Sequence, residues 1–285
     1  MRRSTTFGGT KTARAADRRR IGAVLAAELI CGAFLVGGPQ TVPLGPAVAA
    51  PSPEVATSAS SRAVTMPDGR TAQLIDLGAA GGAALLDRLI TELPGAADAV
   101  TAFWGPQWPR EVVIAVAASQ EQFALLAGGD SGIAATTTSD RITLSPGVAA
   151  ITPTDLRMVL RHELFHYAAR HDTAADAPMW LTEGVADFVG RTAAVQSPAW
   201  DSVAQSGQLP TDAELVNEGP GRSGAYDRAW SFASYVADTY GADQLRALYL
   251  MACGQGHPDV ANAVRNVFGI ELPMLLAGWR QWHSG

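Results

Sequence analysis

The run His162-Glu163-Leu164-Phe165-His166 constrains the fold of this chain more than any other segment. In a helix each residue advances by about 100°, so His166 lies roughly 40° around the axis from His162, and Glu163 about 100° from it. Both imidazoles can then reach one point, with a carboxylate beside them. The pattern therefore predicts a helix with a zinc site on one face and a general base next to it.

A catalytic zinc ion takes three protein ligands and keeps a fourth position for water. His162 and His166 supply two of them. The third is Glu183, in a second acidic motif, or Asp172 as the alternative. A metzincin would have glycine at position 169 and histidine at position 172, but the chain has Ala169 and Asp172 there. We therefore favour Glu183, because it opens a second predicted helix whose first turn can face the first helix.

Asp187 lies four residues after Glu183, on the same helix face. A carboxylate there can accept the second N–H of a ligating imidazole, or it is simply an exposed acid, and the spacing leaves both open. We interpret three arginines near the first helix as solvated flanks, with pairing of one of them to Asp187 as the alternative: Arg157, Arg161 and Arg170.

Two further elements are candidates for contact with a substrate. Tyr226 begins a predicted helix that follows a glycine-rich segment. It is interpreted either as a hydrogen-bond donor to a developing oxyanion or as a packed aromatic side chain. Residues 141–144 predict an edge strand along which an extended peptide can lie.

After residue 50 the chain is acidic, since it holds 14 of the 21 basic residues but 25 of the 27 acids. Contacts to phosphates need clustered cations, so this body argues against nucleic acid as a partner.

Residues 1–50 have the layout of an export signal. A basic stretch ends at 18–20, an apolar run follows at 21–36, and small residues at 47–50 offer cleavage near 49–50. The run has about the minimum length of a membrane span, but Glu28 inside it is costly in lipid. We therefore expect a secreted or cell-envelope protein with no membrane contact after cleavage, or a membrane-anchored one if 21–36 is retained.

The remaining chain predicts an α+β fold, with a small β-containing layer packed on a mainly helical half. Residues 51–62 are small, polar and proline-containing, which is typical of a flexible linker. The two parts that follow are 63–150 and 151–285. Strands are predicted at 71–76, 111–117, 132–136 and 141–144. Helices are predicted at 80–93, 119–126, 152–170, from 178 onward, 226–240, 242–251, 259–267 and 272–282.

The motif HELFH followed by P-x-W-L-x-E-G-x-A-D resembles the gluzincin branch of zinc metallopeptidases, and more closely the peptidase MA-like family of exported bacterial proteins. The similarity spans roughly residues 104–279 and rests on 162–166, 179–187 and 226–241. It implies a zincin-like peptidase domain over 63–285 and one Zn²⁺ ion. It also implies His162, His166 and Glu183 as ligands, Glu163 as general base and Asp187 as the carboxylate behind a ligand.

Together these features predict an exported zinc metallopeptidase that acts on peptides or proteins. The competing hypothesis is a catalytically idle or membrane-tethered zinc-binding domain that works through partner binding in the cell envelope. The intact Glu163 argues against an idle domain, because a structural zinc site has no need of a general base beside the metal.

Overall fold

The computed structural model describes residues 59–128, 133–191, 207–217, 219 and 221–283. The predicted export signal and residues 51–58 of the predicted linker lie outside this part of the chain. The strands are β1 Ser60–Thr65, β2 Thr71–Asp76, β3 Glu111–Val116, β4 Ala135–Thr137 and β5 Ile142–Leu144. The helices are α1 Gly82–Trp104, α2 Gln120–Ala127, α3 Pro153–Ala169, α4 Met179–Gly190, α5 Asp212–Val216, α6 Arg222–Tyr240, α7 Ala242–Cys253, α8 Val260–Phe268 and α9 Leu272–Trp282. A 3₁₀ turn, Pro146–Ala150, precedes α3.

The strands form one mixed sheet in the order β1-β2-β3-β5-β4. The pairs β2–β3 and β3–β5 are parallel, whereas β1–β2 and β4–β5 are antiparallel. The predicted strand at 141–144 is therefore β5, between β3 and β4, and its prediction as the edge strand was wrong. The edge on that side is β4, because the chain makes a short antiparallel return before it enters β5.

Strand β1 begins three residues earlier than the predicted start of order at residue 63. Its side chains are mostly exposed, so it lacks the alternation of apolar and polar residues by which a strand is recognised. The backbone is held instead by pairing with β2, from Ser60 opposite Asp76 to Thr65 opposite Thr71. The last residues of the predicted linker are thus part of the sheet.

Helix α1 continues eleven residues beyond the predicted end at 93. Proline inside a helix removes one hydrogen bond and costs about 3 kcal/mol, so the Pro94-Gly95 pair predicts a stop. However, the apolar face continues through Ala97, Val100 and Trp104, all of which are buried. Burial of this extra face offsets the local cost, and the helix runs through the proline.

Helix α3 lies at the centre of the helical part. It packs against α1 and α4, and α4 in turn packs against α6. Leu160, Leu164 and Phe165 of α3 are fully buried in the main hydrophobic core, where Phe165 makes edge-to-face contacts with Trp104 and Tyr249. The helix that carries the histidines is therefore anchored on its apolar face.

The start of α3 is set by local chemistry. Thr152 is the N-cap, and its hydroxyl accepts a hydrogen bond from the backbone N–H of Asp155 at 3.2 Å. Pro153 occupies the first helical position, where its missing N–H costs nothing.

The predicted α+β class is confirmed, with a five-stranded sheet in the N-terminal part and a mostly helical C-terminal half. In the described part of the chain, no single helix has the length and apolar character needed to cross a membrane.

Candidate metal centre

Two helices bring the three predicted zinc ligands together. His162 and His166 lie one turn apart on α3, and Glu183 lies on the neighbouring α4. The Nε2 atoms of the two histidines are 3.1 Å apart. Glu183 places Oε2 at 3.3 Å from His162 Nε2 and Oε1 at 3.6 Å from His166 Nε2. His162 and Glu183 are buried, and the His166 side chain is 13% exposed, so His166 lies nearest to solvent.

These separations fit one zinc ion. With ligand bonds of about 2.0–2.1 Å in a tetrahedron, neighbouring ligand atoms stand ~3.3 Å apart. The three distances in the structure are 3.1, 3.3 and 3.6 Å. Two imidazoles and one carboxylate, with a fourth position left for water, are one of the donor sets that hold catalytic zinc. The three residues therefore form a site for a single zinc ion, which is the predicted cofactor.

The alternative third ligand, Asp172, does not join this group. It is exposed just beyond the end of α3, where its backbone N–H donates to the carbonyl of Ala169 at 2.9 Å. Across the described ranges, only His162, His166 and Glu183 bring His, Cys, Asp or Glu ligand atoms together around one point.

Close helix packing fixes the position of Glu183 relative to the two histidines. The next residue, Gly184, faces α6, where an added Cβ would lie 2.5 Å from the carbonyl oxygen of Ala229. At the end of α4, a Cβ on Gly190 would lie 3.3 Å from His162 Cβ. Both glycines let the α4 backbone approach its neighbours more closely than a larger residue would, so α4 is held where Glu183 meets the histidines.

The groups around His162 favour one positive charge at this site. Burial opposes the charged form of His162, but the hydrogen bond with Asp187 and the contact with Glu183 outweigh it and raise its pKa to about 10. Burial and the charge on His162 lower the pKa of His166 well below its usual value. Burial raises the pKa of Glu183, which the nearby charges of His162 and Arg222 partly offset. Carboxylates that stabilise a buried imidazolium also stabilise a bound metal cation.

Asp187 contacts His162 at Nδ1, the ring nitrogen that does not face the other two ligands. It is fully buried, and its Oδ1 is 3.0 Å from His162 Nδ1, which excludes the exposed-acid interpretation. With the proton on Nδ1, the imidazole donates to Asp187 and presents the Nε2 lone pair to the metal. Arg191 donates to the other carboxylate oxygen, Oδ2, at 2.6 Å. The suggestion that an arginine of α3 pairs with Asp187 was wrong, because the partner comes from the end of α4.

Glu163 is buried beside the ligands and is held by a residue that the sequence analysis missed. Thr137, the last residue of β4, places its Oγ1 2.6 Å from Glu163 Oε2 and 3.1 Å from the Glu163 carbonyl oxygen. The hydroxyl therefore donates to the carboxylate, which is the shorter contact. A threonine in a three-residue strand has no sequence signal that connects it to a helix 26 residues away.

Helix α6 carries the predicted oxyanion donor and a second missed residue. Tyr226 is 2% exposed and belongs to the main hydrophobic core, and its oxyanion role stays a prediction. Arg222 begins the same helix and donates from Nε to the carbonyl of Leu215 at 2.9 Å. Its charge lies close enough to act on the pKa of Glu183, and no sequence pattern distinguishes it from the other arginines.

Solved structures of M1 zinc metallopeptidases are similar to this chain in fold. A mutant of a two-domain M1 zinc metallopeptidase bound to L-tryptophan is 15% identical with a TM-score of 0.50, and the match covers 80% of this chain and 52% of that one. An M1 zinc metallopeptidase from Deinococcus radiodurans is 14% identical with a TM-score of 0.49, over 79% of this chain and 51% of that one. The chain thus spans about half the length of these structures, and the similarity is one of fold.

Among curated proteins, none matches the chain. A family model does match, over residues 98–246, and its description is "peptidase of plants and bacteria". The matched range covers just over half of the 285 residues and contains Thr137, Glu163 and the whole ligand group. The predicted membership of a zinc metallopeptidase family is confirmed, since the match to a peptidase family includes the gluzincin ligand set of two histidines and a glutamate. The chain therefore belongs to the family of peptidases of plants and bacteria.

Proposed function

We propose that this peptidase is zinc-dependent and hydrolyses peptide bonds with a metal-activated water for which Glu163 is the general base. The observation that carries the proposal is the convergence of His162 Nε2, His166 Nε2 and the Glu183 carboxylate within 3.1–3.6 Å of one another. The two histidines lie on the helix that also carries Glu163, and Glu183 comes from the neighbouring α4. The donor set leaves one coordination position for water, as a hydrolytic zinc site requires.

The chemistry divides between the ion and the protein. A zinc ion held by His162, His166 and Glu183 would lower the pKa of a bound water toward neutrality and would polarise the scissile carbonyl. Glu163 takes the proton of the attacking water at its carboxylate and later delivers it to the leaving amine. Thr137 holds Glu163 Oε2 by a hydrogen bond, so the orientation of the base is set before the substrate arrives. Asp187 holds the N–H of His162, which keeps Nε2 directed at the metal.

The substrates proposed are peptides or proteins, as the family description implies. The side chain of His166 is the ligand nearest to solvent, which supports entry of the scissile bond on that side. Tyr226 is kept as the proposed donor to the oxyanion.

The alternative is an idle zinc-binding domain that acts through a partner. An idle site needs neither a buried carboxylate beside the metal nor a hydroxyl that orients it, and the chain has both in Glu163 and Thr137. Zinc that only stabilises a fold is also more often held by cysteine-rich sets. Hydrolysis is therefore the better-supported function.

Removal of the metal tests the proposal directly. The purified chain is expected to contain one zinc ion and to cleave a mixed peptide library. Dialysis against a chelator should abolish cleavage, and one equivalent of zinc should restore it. Cleavage that persists in the zinc-free protein would contradict the mechanism, whereas one bound zinc without any cleavage would favour the idle domain.

Replacement of Thr137 by valine tests the orientation of the base. The variant keeps the shape of the side chain but loses a hydrogen bond to a charged group, worth about 1.5–3 kcal/mol. We expect kcat to fall about tenfold or more, with KM and zinc content unchanged, in steady-state assays on a peptide substrate. The matched control is Thr136→Val, because Thr136 is buried in the same strand and its hydroxyl has no partner among the described residues. Equal kcat in the two variants would remove Thr137 from the mechanism.

We also propose that the catalytic body acts outside the cytoplasm. The support is the basic, apolar and small-residue layout of residues 1–50. The intact mass of the chain recovered from the culture medium or envelope fraction tests this. A mass that begins near residue 50 supports cleavage, a full-length mass in the membrane fraction supports an anchor at 21–36, and recovery only from the cytoplasm contradicts export.

A further inference from the structure

The guanidinium of Arg191 lies between two buried carboxylates. Its terminal nitrogens donate to Asp187 Oδ2 at 2.6 Å and to Asp227 Oδ1 at 2.9 Å. All three side chains are at most 8% exposed. The guanidinium also lies over the ring of Trp230, at 4.6 Å from its centroid. A continuous chain of contacts therefore runs from His162 through Asp187 and Arg191 to Asp227.

This chain of contacts joins two helices. Arg191 is the first residue after α4, and its backbone N–H donates to the carbonyl of Asp187 at 2.8 Å. Asp227 lies on α6, which packs against α4. The guanidinium thus ties the end of α4, and with it Asp187, to the side of α6.

The carboxylate of Asp187 needs such a partner. A buried carboxylate without compensating contacts is strongly unfavourable, and each of its oxygens here has a separate partner. His162 Nδ1 lies against Oδ1, and Arg191 donates to Oδ2. Two fixed partners on opposite oxygens leave the carboxylate plane no freedom to rotate, so Oδ1 stays directed at the imidazole.

Asp227 has a separate task in this arrangement. A planar guanidinium can bridge two carboxylates in a fixed geometry, which an ammonium cannot do. Asp227 accepts a hydrogen bond from the other terminal nitrogen of the guanidinium. The positive charge of Arg191 is then shared between two carboxylates. Asp187 is therefore less fully neutralised by Arg191 and remains a strong acceptor for the N–H of His162.

We propose that Arg191 is a positioning residue for the zinc ligand His162, acting through Asp187, and that Asp227 holds Arg191 in place. The proposal rests on the proposed function only in that His162 binds zinc, and it does not require that the protein hydrolyse a peptide bond. Outer partners of a metal-ligating histidine typically change metal affinity by roughly 10–100-fold when they are lost.

The experiment compares full-length Arg191→Met, Arg191→Lys and Asp227→Asn with the parent. The zinc dissociation constant is measured by competition with a chelator, and thermal unfolding is measured on the zinc-free proteins. We expect Arg191→Met to weaken zinc binding roughly 10–100-fold. Arg191→Lys should recover part of this loss, because it keeps the charge but not the bridge. Asp227→Asn should weaken binding in the same direction by a smaller factor.

The matched control is Arg157→Met on α3. Arg157 also pairs with a carboxylate, Glu92, through two contacts of 2.8 and 3.1 Å, but that pair is not connected to Asp187. Its zinc affinity should equal that of the parent. Cobalt substitution adds a spectral check, since a change in the orientation of the ligand alters the visible bands of bound cobalt in the Arg191 variants and not in the control.

The inference is overturned if Arg191→Met folds and binds zinc as tightly as the control, or if it loses thermal stability without any loss of zinc affinity. If Arg191→Met fails to fold, Arg191→Lys and Asp227→Asn decide, and parental zinc affinity in both overturns it. A protein that shows the expected zinc affinities but no peptidase activity would refute the proposed function and leave this inference standing.

Discussion

Glu163→Gln is expected to bind zinc as the parent does and to lose peptidase activity by roughly 10²–10⁴-fold, the usual contribution of a positioned general base. Glutamine has nearly the same shape, and its amide oxygen can still accept the hydrogen bond from Thr137 Oγ1. It cannot take the proton of the attacking water, however. The loss should therefore appear in kcat, with the zinc stoichiometry unchanged at one ion per chain. Steady-state kinetics on a peptide substrate and metal analysis of the same sample measure both.

A control for this substitution is Glu271→Gln. Glu271 is an exposed acid that pairs with Arg265 at 2.7 Å on the surface, so its replacement changes the charge by the same amount without touching the site. Its activity should match the parent. If Glu163→Gln keeps more than about a tenth of the parental activity, a factor below the usual range for a general base, Glu163 is not the base.

His162→Ala is expected to abolish stoichiometric zinc binding and, with it, all peptidase activity. The substitution removes one of three protein ligands and also leaves Asp187 without its imidazole partner at 3.0 Å. The loss of zinc affinity should exceed the roughly 10–100-fold change expected from an outer partner such as Arg191. Metal analysis after gel filtration and chelator competition measure it, and circular dichroism establishes that the zinc-free variant is folded.

The matched control for the ligand is His171→Ala. His171 is exposed in the turn after α3 and is not a member of the ligand group. It should keep one zinc ion and parental activity. Zinc retained at full stoichiometry in His162→Ala would contradict the assignment of the site, whatever the activity.

Local sequence rules predicted those elements whose boundaries depend on local chemistry. The strand at 71–76 and the predicted helix starts near residues 119 and 152 agree with the structure. At the first of these starts, the Ser119 side chain is the N-cap and accepts a hydrogen bond from the backbone N–H of Gln122 at 3.2 Å. In each case the pattern is complete within a few residues. Alternation of burial along a strand or a hydroxyl at a helix start does not depend on the rest of the fold.

Two of the errors in the fold arise from contacts that the local pattern does not contain. Helix α1 passes Pro94 because its second half buries residues such as Val100 and Trp104 against the core. Strand β1 forms from an exposed, polar segment because β2 offers it a free edge. In both cases a long-range gain outweighs a local preference that, taken alone, is correct.

The sequence by itself determined the chemistry of the centre, since the spacing of His162, Glu163 and His166 leaves one helix face on which a metal and a base can meet. The third ligand needed the fold, because Glu183 and Asp172 were both available until α4 packed against α3 and left Asp172 exposed. Only the tertiary structure identified the residues that orient these groups. They are Thr137, which donates a hydrogen bond to Glu163, and Arg191, which donates one to Asp187. The physical reason is distance along the chain: a zinc ligand pair one turn apart is encoded by helix periodicity, whereas the hydrogen bonds that orient it join residues brought together only when sheet, α4 and α6 close around α3.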